Sequence, residues 1–397
     1  MDTLIRYSLF ATLLAAIAPA ASVITTRLED PRVVYLSAAA FGAKGDGQAD
    51  DSAAIQAAID KAENRVREGI LFVPSGRYRV TRTIYVWPGV RIFGFGVTRP
   101  VFVLPSDTPG FQKGVGVMVM FTGARLGGAP GAGPGGGGRG FRIPFPPVGS
   151  VPPNAAVADA NPGTFYPAMS NIDFEIGDGN PAAIGVRFHA AQHAYLSHMD
   201  FHTGSGLAAL TQVGNYAQDL KFYGGRYGIL TDKPSPAWPF VLVDSVFEGQ
   251  RESAIREHEA GLTLIRDTFR NVPVGIDIDP QYYDQPWAKD CRFENVSRAA
   301  VIIGNEKSHL NEIGFENAIA KEVPTFALFR ESGRKVAGKG PVYAVRSFNY
   351  GLLLPGLGAP GVLGQRYDAA ALSSLPAAMP PAIPPLPPTP EWTSVRT

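Results

Sequence analysis

Short apolar strings, rather than long amphipathic faces, set the rhythm of this chain. Ile172-Asp173-Phe174, Met199-Asp200-Phe201, Leu220-Lys221-Phe222, Ser245-Val246-Phe247, Asp267-Thr268-Phe269, Cys291-Arg292-Phe293 and Ile313-Gly314-Phe315 recur at intervals of 21 to 27 residues. A second apolar string follows most of them: Ile184–Phe188, Gly228–Asp232, Ala254–His258, Gly275–Asp279 and Ala300–Gly304. In a strand, successive side chains point to opposite faces. A single coil of such strands cannot bury its inner face, whereas a stack of coils can. The pattern therefore predicts a solenoid with the seven phenylalanines buried in one inner column. Leucine-rich repeats share the period, but the Leu-x-x-Leu-x-Leu spacing and helical backs are not evident. Gly249, Asn271, Asn295 and Asn317 follow the last four regular strings, where a left-handed residue turns the chain into its next strand.

The start of the chain has a different period. Ile55, Ala58, Ile59 and Ala62 fall at helical spacing and predict one helix with a single apolar face. Asp50 or Asp51 is placed to cap it, after a turn written Phe41-Gly42-Ala43-Lys44-Gly45-Asp46-Gly47. Strand-like runs follow at Ile70–Pro74, Tyr78–Val80, Thr83–Val86 and Val90–Gly94. From about Val33 to Pro100 this order resembles the opening segment of the pectate-lyase-3 or rhamnogalacturonase/epimerase-like group, which includes members of glycoside hydrolase families 28 and 55. The resemblance implies an all-β, right-handed parallel β-helix (a pectin-lyase-like solenoid) with an N-terminal cap helix. It gives Lys44, Asp46, Asp50 and Asp51 turn and cap work rather than chemistry.

Composition narrows the function classes. The 36 basic and 35 acidic residues nearly cancel, so nothing points to nucleic acid or an anionic membrane surface. The lone Cys291 excludes an intramolecular disulfide framework. Residues 1–21 read as a signal peptide: Arg6, an apolar stretch from Leu9 to Ala18, then Ala18-Pro19-Ala20-Ala21. No stretch is long enough for a membrane span, and a secreted or periplasmic protein is expected. The solenoid is expected over 33–355, with a Gly/Pro-rich insertion at 123–162. A Pro-rich tail or linker follows at 356–397.

Candidate chemistry comes from registering the second strings on their small-apolar start. One outward row then reads Arg187, an unplaced coil, Leu230, Arg256, Asp277 and Ile302; the next reads His189, the unplaced coil, Asp232, His258, Asp279 and Gly304. Asp232 and Asp279 fall two rungs apart, ~9–10 Å at the spacing of stacked strands, near the upper end of the separation for inverting glycoside hydrolysis. Acid and base are drawn from Asp232, Asp279, Glu257 and Asp277. Glu257 should point inward by alternation, which requires a distorted strand or a buried partner. Trp238, Tyr282, Tyr283 and Trp287, in the loops after Asp232 and Asp279, supply rings for sugar stacking; Arg187 and His189 join them as substrate-binding candidates. No metal-ligand spacing stands out, although Asp277, Asp279 and Asp284 offer oxygens to a Ca²⁺; no cofactor is expected.

The family's own catalytic signatures are missing. Asn-Thr-Asp, Gly-His-Gly and Arg-Ile-Lys of family 28 do not occur, and its Asp-Asp occurs only at Asp50-Asp51. The Trp-Ile-Asp-His segment of Ca²⁺-dependent pectate lyases is also absent. The remaining resemblance is to family 55 β-1,3-glucanases, in which two β-helices lie side by side. It implies a glucanase-like hydrolase of extracellular polysaccharide, and either a second β-helix domain or subunit, or a tail folded back along the solenoid. Two alternatives stand beside it: a polysaccharide lyase with Arg256 or His258 as base, and a non-catalytic glycan-binding solenoid.

Overall fold

The computed structural model describes residues 20–66, 69–125, 157–233 and 239–381. The body of the expected signal segment, the centre of the insertion, the end of the tail and Trp238 lie outside them. The chain winds into a solenoid of about ten turns, with parallel strands stacked on three walls.

On the first wall, Phe102, Phe174, Phe201, Phe222, Phe247, Phe269 and Phe293 stand in one register, all buried. From Phe174 to Phe293 the ring centroids are 4.5–5.5 Å apart and neighbouring planes lie within 19°. The 4.8 Å rise of a coil brings like side chains to stacking distance, so each ring adds to its neighbours' burial. Phe102 extends the expected column, and Phe315 leaves it. The residue registered on Phe293 is Ala320, while Phe315 pairs with Ala288 on the third wall. The coil from Phe293 is longer than the spacing suggested, so a phenylalanine 22 residues on arrives one wall early.

The second wall carries Val186, Leu210, Ile229, Ile255, Ile276, Val301 and Ala327 in register. Its strand Ala208–Thr211 fills the coil left unplaced by the sequence pattern. The third wall, with Met169, Leu196, Ala217, Leu242 and Leu264 in register, was not foreseen. The turns at Gly249, Asn271, Asn295 and Asn317 have positive φ as expected, between 53° and 76°.

The helix Ser52–Val66 closes one end, with Ile55, Ala58, Ile59 and Ala62 buried. The Asp51 carboxylate caps the preceding turn rather than the helix: it accepts the N–H groups of Lys44 (2.7 Å) and Gly45 (3.0 Å). Gly45 has φ +60°, which a side chain would resist. At the other end parallel pairing gives way to antiparallel. Val342–Leu353 runs against Glu312–Lys321 and then against Val362–Ala371, so ordered β-structure continues past the expected boundary at 355. Beyond it the tail comes back to the first wall, where Arg292 donates to the carbonyls of Pro376 (3.1 Å) and Ala377 (3.4 Å).

Candidate active site

The site is built where second-wall strands end and the chain turns toward the third wall. Small and branched apolar residues point inward along these strands, so every other residue is driven outward. The outward row is Arg187, Thr211, Leu230, Arg256, Asp277, Ile302 and Leu328, as the pattern predicted, with Thr211 in the open position. Just past the strand ends stand His189 and, beyond the Ala208–Thr211 coil, Asp232, His258 and Asp279 in successive coils.

Asp279 is the hub. It accepts from Arg256 Nε at 2.7 Å, and His258 Nδ1 lies 2.8 Å from its other oxygen. Burial opposes its charge, but the hydrogen bonds and charges of His258 and Arg256 overcome this and hold its carboxyl below the usual range. Arg256 also donates to the Tyr227 hydroxyl at 2.8 Å. Despite burial, its bonds to Asp279 and Tyr227 make it harder to deprotonate than a free arginine. The Tyr282 ring, still 41% exposed, stacks on His258 at 4.1 Å.

Asp232 has the opposite character. It is 1% exposed, one oxygen accepts from the Gln212 amide, and the other has no partner among the described residues. Burial lifts it to about 6, against the pull of His258, Arg187 and His189. Asp277, one row in, is also raised by burial and is tied to Arg330, which donates as well to the Ile278 carbonyl at 2.9 Å. At the upper end Arg187 makes a two-pronged bond to Asp159 at 2.6 and 2.9 Å, with His189 Nδ1 3.2 Å from Arg187 and 3.4 Å from Asp159.

The remaining sequence candidates scatter. Glu257 is fully buried under the column rather than in it. Tyr283 pairs with Glu259. Trp287 stands on the third wall between Thr263 and Gly314. The three aspartates considered for Ca²⁺ do not converge: Asp277 and Asp279 are outward and ion-paired, while Asp284 is buried on backbone N–H groups of Ala260 and Gly261. Among the described residues no group of three His, Cys, Asp or Glu forms a metal site. Sequence reasoning missed Asp159, Gln212, Tyr227 and Arg330. Gln212 and Arg330 were findable in principle, each following a second-wall strand in register.

Comparison with known proteins bears on the fold more than on this column. A glucan 1,3-beta-glucosidase from Cochliobolus carbonum is 47% identical over 60 residues, 15% of this chain and 7% of that protein. An alginate lyase 7 from Azotobacter vinelandii is 58% identical over 41 residues, 10% of this chain and 5% of that one. The matches therefore span a small part of these relatives' length. An iota-carrageenase solved with iota-carrageenan fragments aligns at 13% identity and TM-score 0.39, over 71% of this chain and 58% of that one. The family described as rhamnogalacturonase A/epimerase, pectate lyase-like matches residues 35–121, the cap helix and first coils. The chain is thus similar to that family over its cap and first coils, and the coils stacked behind them give it the architecture of a parallel β-helix.

Proposed function

We propose that this is an exported glycoside hydrolase acting on an extracellular polysaccharide at the Asp232–His258–Asp279 column. The observation that carries the reading is the pairing of opposites in one column. A buried acid holds its proton up to about pH 6, and a carboxylate two rungs away is held ionised against a histidine. Two titratable groups pushed apart by their surroundings are what acid–base catalysis needs.

In this reading Asp232 gives its proton to the glycosidic oxygen as the bond to the anomeric carbon breaks. A water attacks that carbon from the opposite face, and its proton passes to the His258–Asp279 pair. The two-rung spacing leaves room for the water and implies inversion. Tyr282, exposed beside His258, offers an edge or face to the sugar. The names of the partial relatives support a glycan as substrate, and the apolar N-terminal stretch behind Arg6 supports export.

The lyase alternative has one point in its favour, a histidine backed by a carboxylate. Against it, Arg256 is already neutralised by Asp279 and is too strong an acid-holder to act as base, so a uronate carboxylate would find its counter-charge taken. The test is incubation of the protein with a panel of neutral and uronate polysaccharides, products being followed by mass and ultraviolet absorbance. New reducing ends without absorbance are expected. Unsaturated, absorbing products would replace hydrolysis by elimination, and binding without any product would reduce the protein to a glycan-binding solenoid.

A further inference from the structure

Directly beneath the column lies a titratable pair that the proposed chemistry does not use. Glu257, between Arg256 and His258, points into the solenoid and is 0% exposed. Among the described residues neither of its carboxyl oxygens accepts a hydrogen bond. What faces them is the carboxyl of Asp284, with the Ala260 N–H at the edge and the charge of Asp279 beyond. Asp284 is itself 1% exposed. It accepts the N–H groups of Ala260 (3.2 Å), Gly261 (3.2 Å) and Gln285 (2.5 Å), which pin it beneath the loop that follows Glu257.

Two carboxyls meeting in a dry core cannot both be ionised, so one proton must lie between them. Burial, with Asp284 facing it, keeps the proton on Glu257, which points it at the Asp284 carboxyl. That contact links two loops. Residues 258–261 follow Glu257 and begin with His258; residues 279–285 carry Asp279, Tyr282 and Asp284. His258 and Tyr282 stack across the same gap. A buried donor–acceptor bond therefore underlies the geometry of the outward column. Arg256 and His258, the chain neighbours of Glu257, are committed to Asp279 on the outer face and bring no counter-charge inside.

We propose that Glu257 is a positioning residue whose proton, shared with Asp284, latches the two site loops together, and that losing this proton releases them. The proposal rests on reading the column as the site only for its catalytic consequence; the latch itself is a statement about the loops. The sign follows from linkage. Burial, reinforced by Asp284, raises the Glu257 carboxyl well above its ordinary value. Its contribution to stability is complete below the unfolded value of about 4.3 and is lost as pH rises through the folded one.

The test is hydrogen exchange on the whole protein at a series of pH values. In the wild type, exchange of 258–261 and 279–285 should accelerate with pH by about tenfold per unit beyond the base-catalysed chemistry, the slope of one linked proton. The Phe wall should not follow. Glu257→Gln keeps a donor toward Asp284 and cannot ionise, so the excess slope should vanish. If that variant fails to fold, Asp284→Asn removes the like charge and should flatten the response as well. Equal profiles in wild type and variants, or loops as protected at pH 9 as at pH 6, overturn the latch. On a polysaccharide found to be cleaved, Glu257→Gln should also extend the alkaline limb of kcat with little change in KM. Loss of the exchange slope without any change in that limb would leave the latch standing and overturn the column as the site.

Discussion

Two clusters of charge decorate the outside of this solenoid, and they solve different problems. On the first wall, Arg99 is 4% exposed and bridges Asp173 (3.2 Å) and Asp200 (2.9 Å) from one nitrogen. Asp173 also accepts the Asp200 N–H, Lys221 lies 3.5 Å from Asp200, and His198 pairs with Asp219. Burial, with Asp200 as a nearby like charge, puts Asp173 at about 6 in spite of Arg99, the same value as Asp232 on the second wall. A perturbed acid is thus not by itself a mark of function. The difference lies in what surrounds it. Asp173 is clamped by a guanidinium that spans two coils, so the cluster works as a staple between rungs. Asp232 keeps a buried oxygen without a partner among the described residues and stands beside a histidine–carboxylate pair with an exposed ring. One cluster is closed upon itself; the other is not.

The largest test of this contrast is catalytic. On a substrate identified by the panel, Asp232→Asn and Asp279→Asn should each lower turnover by roughly 10²–10⁴, the usual worth of a general acid or base, with binding retained. Asp173→Asn and Asp200→Asn should stay within about tenfold of wild type, since they touch no substrate. Steady-state kinetics on the four proteins decides it, and the reverse ranking would move the site to the first wall.

Next is stability. Arg99→Met strands two buried carboxylates on adjacent coils, a change costing about 3–5 kcal/mol in denaturant unfolding. Arg256→Met, at a side chain 27% exposed to solvent, should cost clearly less. Equal losses would show that both clusters are staples.

The smallest effect is a slope. Asp173 and Asp232 have folded values raised to about 6, so each favours the native state fully below about 3.9, its unfolded value. That contribution is lost as pH rises to about 6 and is flat beyond. Thermal unfolding from pH 4 to 7 should show the decline, and Asp173→Asn and Asp232→Asn should each remove a part of it. A variant that leaves the slope unchanged would mean its aspartate is ionised throughout.

Much of this was legible without coordinates, and for definite reasons. A period-two strand in a stack leaves its inward residues no choice but to be apolar, so the Phe column and the Ile wall announced themselves. The outward row was legible for the same reason: Arg187, Arg256 and Asp277 hold the register assigned to them, and Asp232, His258 and Asp279 gather in neighbouring coils. What escaped was whatever lacks that period. Ala208–Thr211 is too small and short to stand out, and the third wall mixes Ala with Leu and Met.

Phe315 shows the limit of counting, because a longer coil shifts a residue to another wall without changing the local pattern around it. Partnership is the other limit. Asp159 comes to Arg187 from the last residues of the insertion, and Arg330 reaches Asp277 from 53 residues away; no local spacing encodes either. The inward Glu257 was visible as an anomaly of alternation, but not its pairing with Asp284, which depends on how a loop of the next coil folds under it. Sequence by itself determined the solenoid, its cap helix and the column of outward acids, because repeated burial constrains every turn alike. Tertiary structure alone decided which acid keeps its proton, since that depends on burial and on charges brought in from other coils.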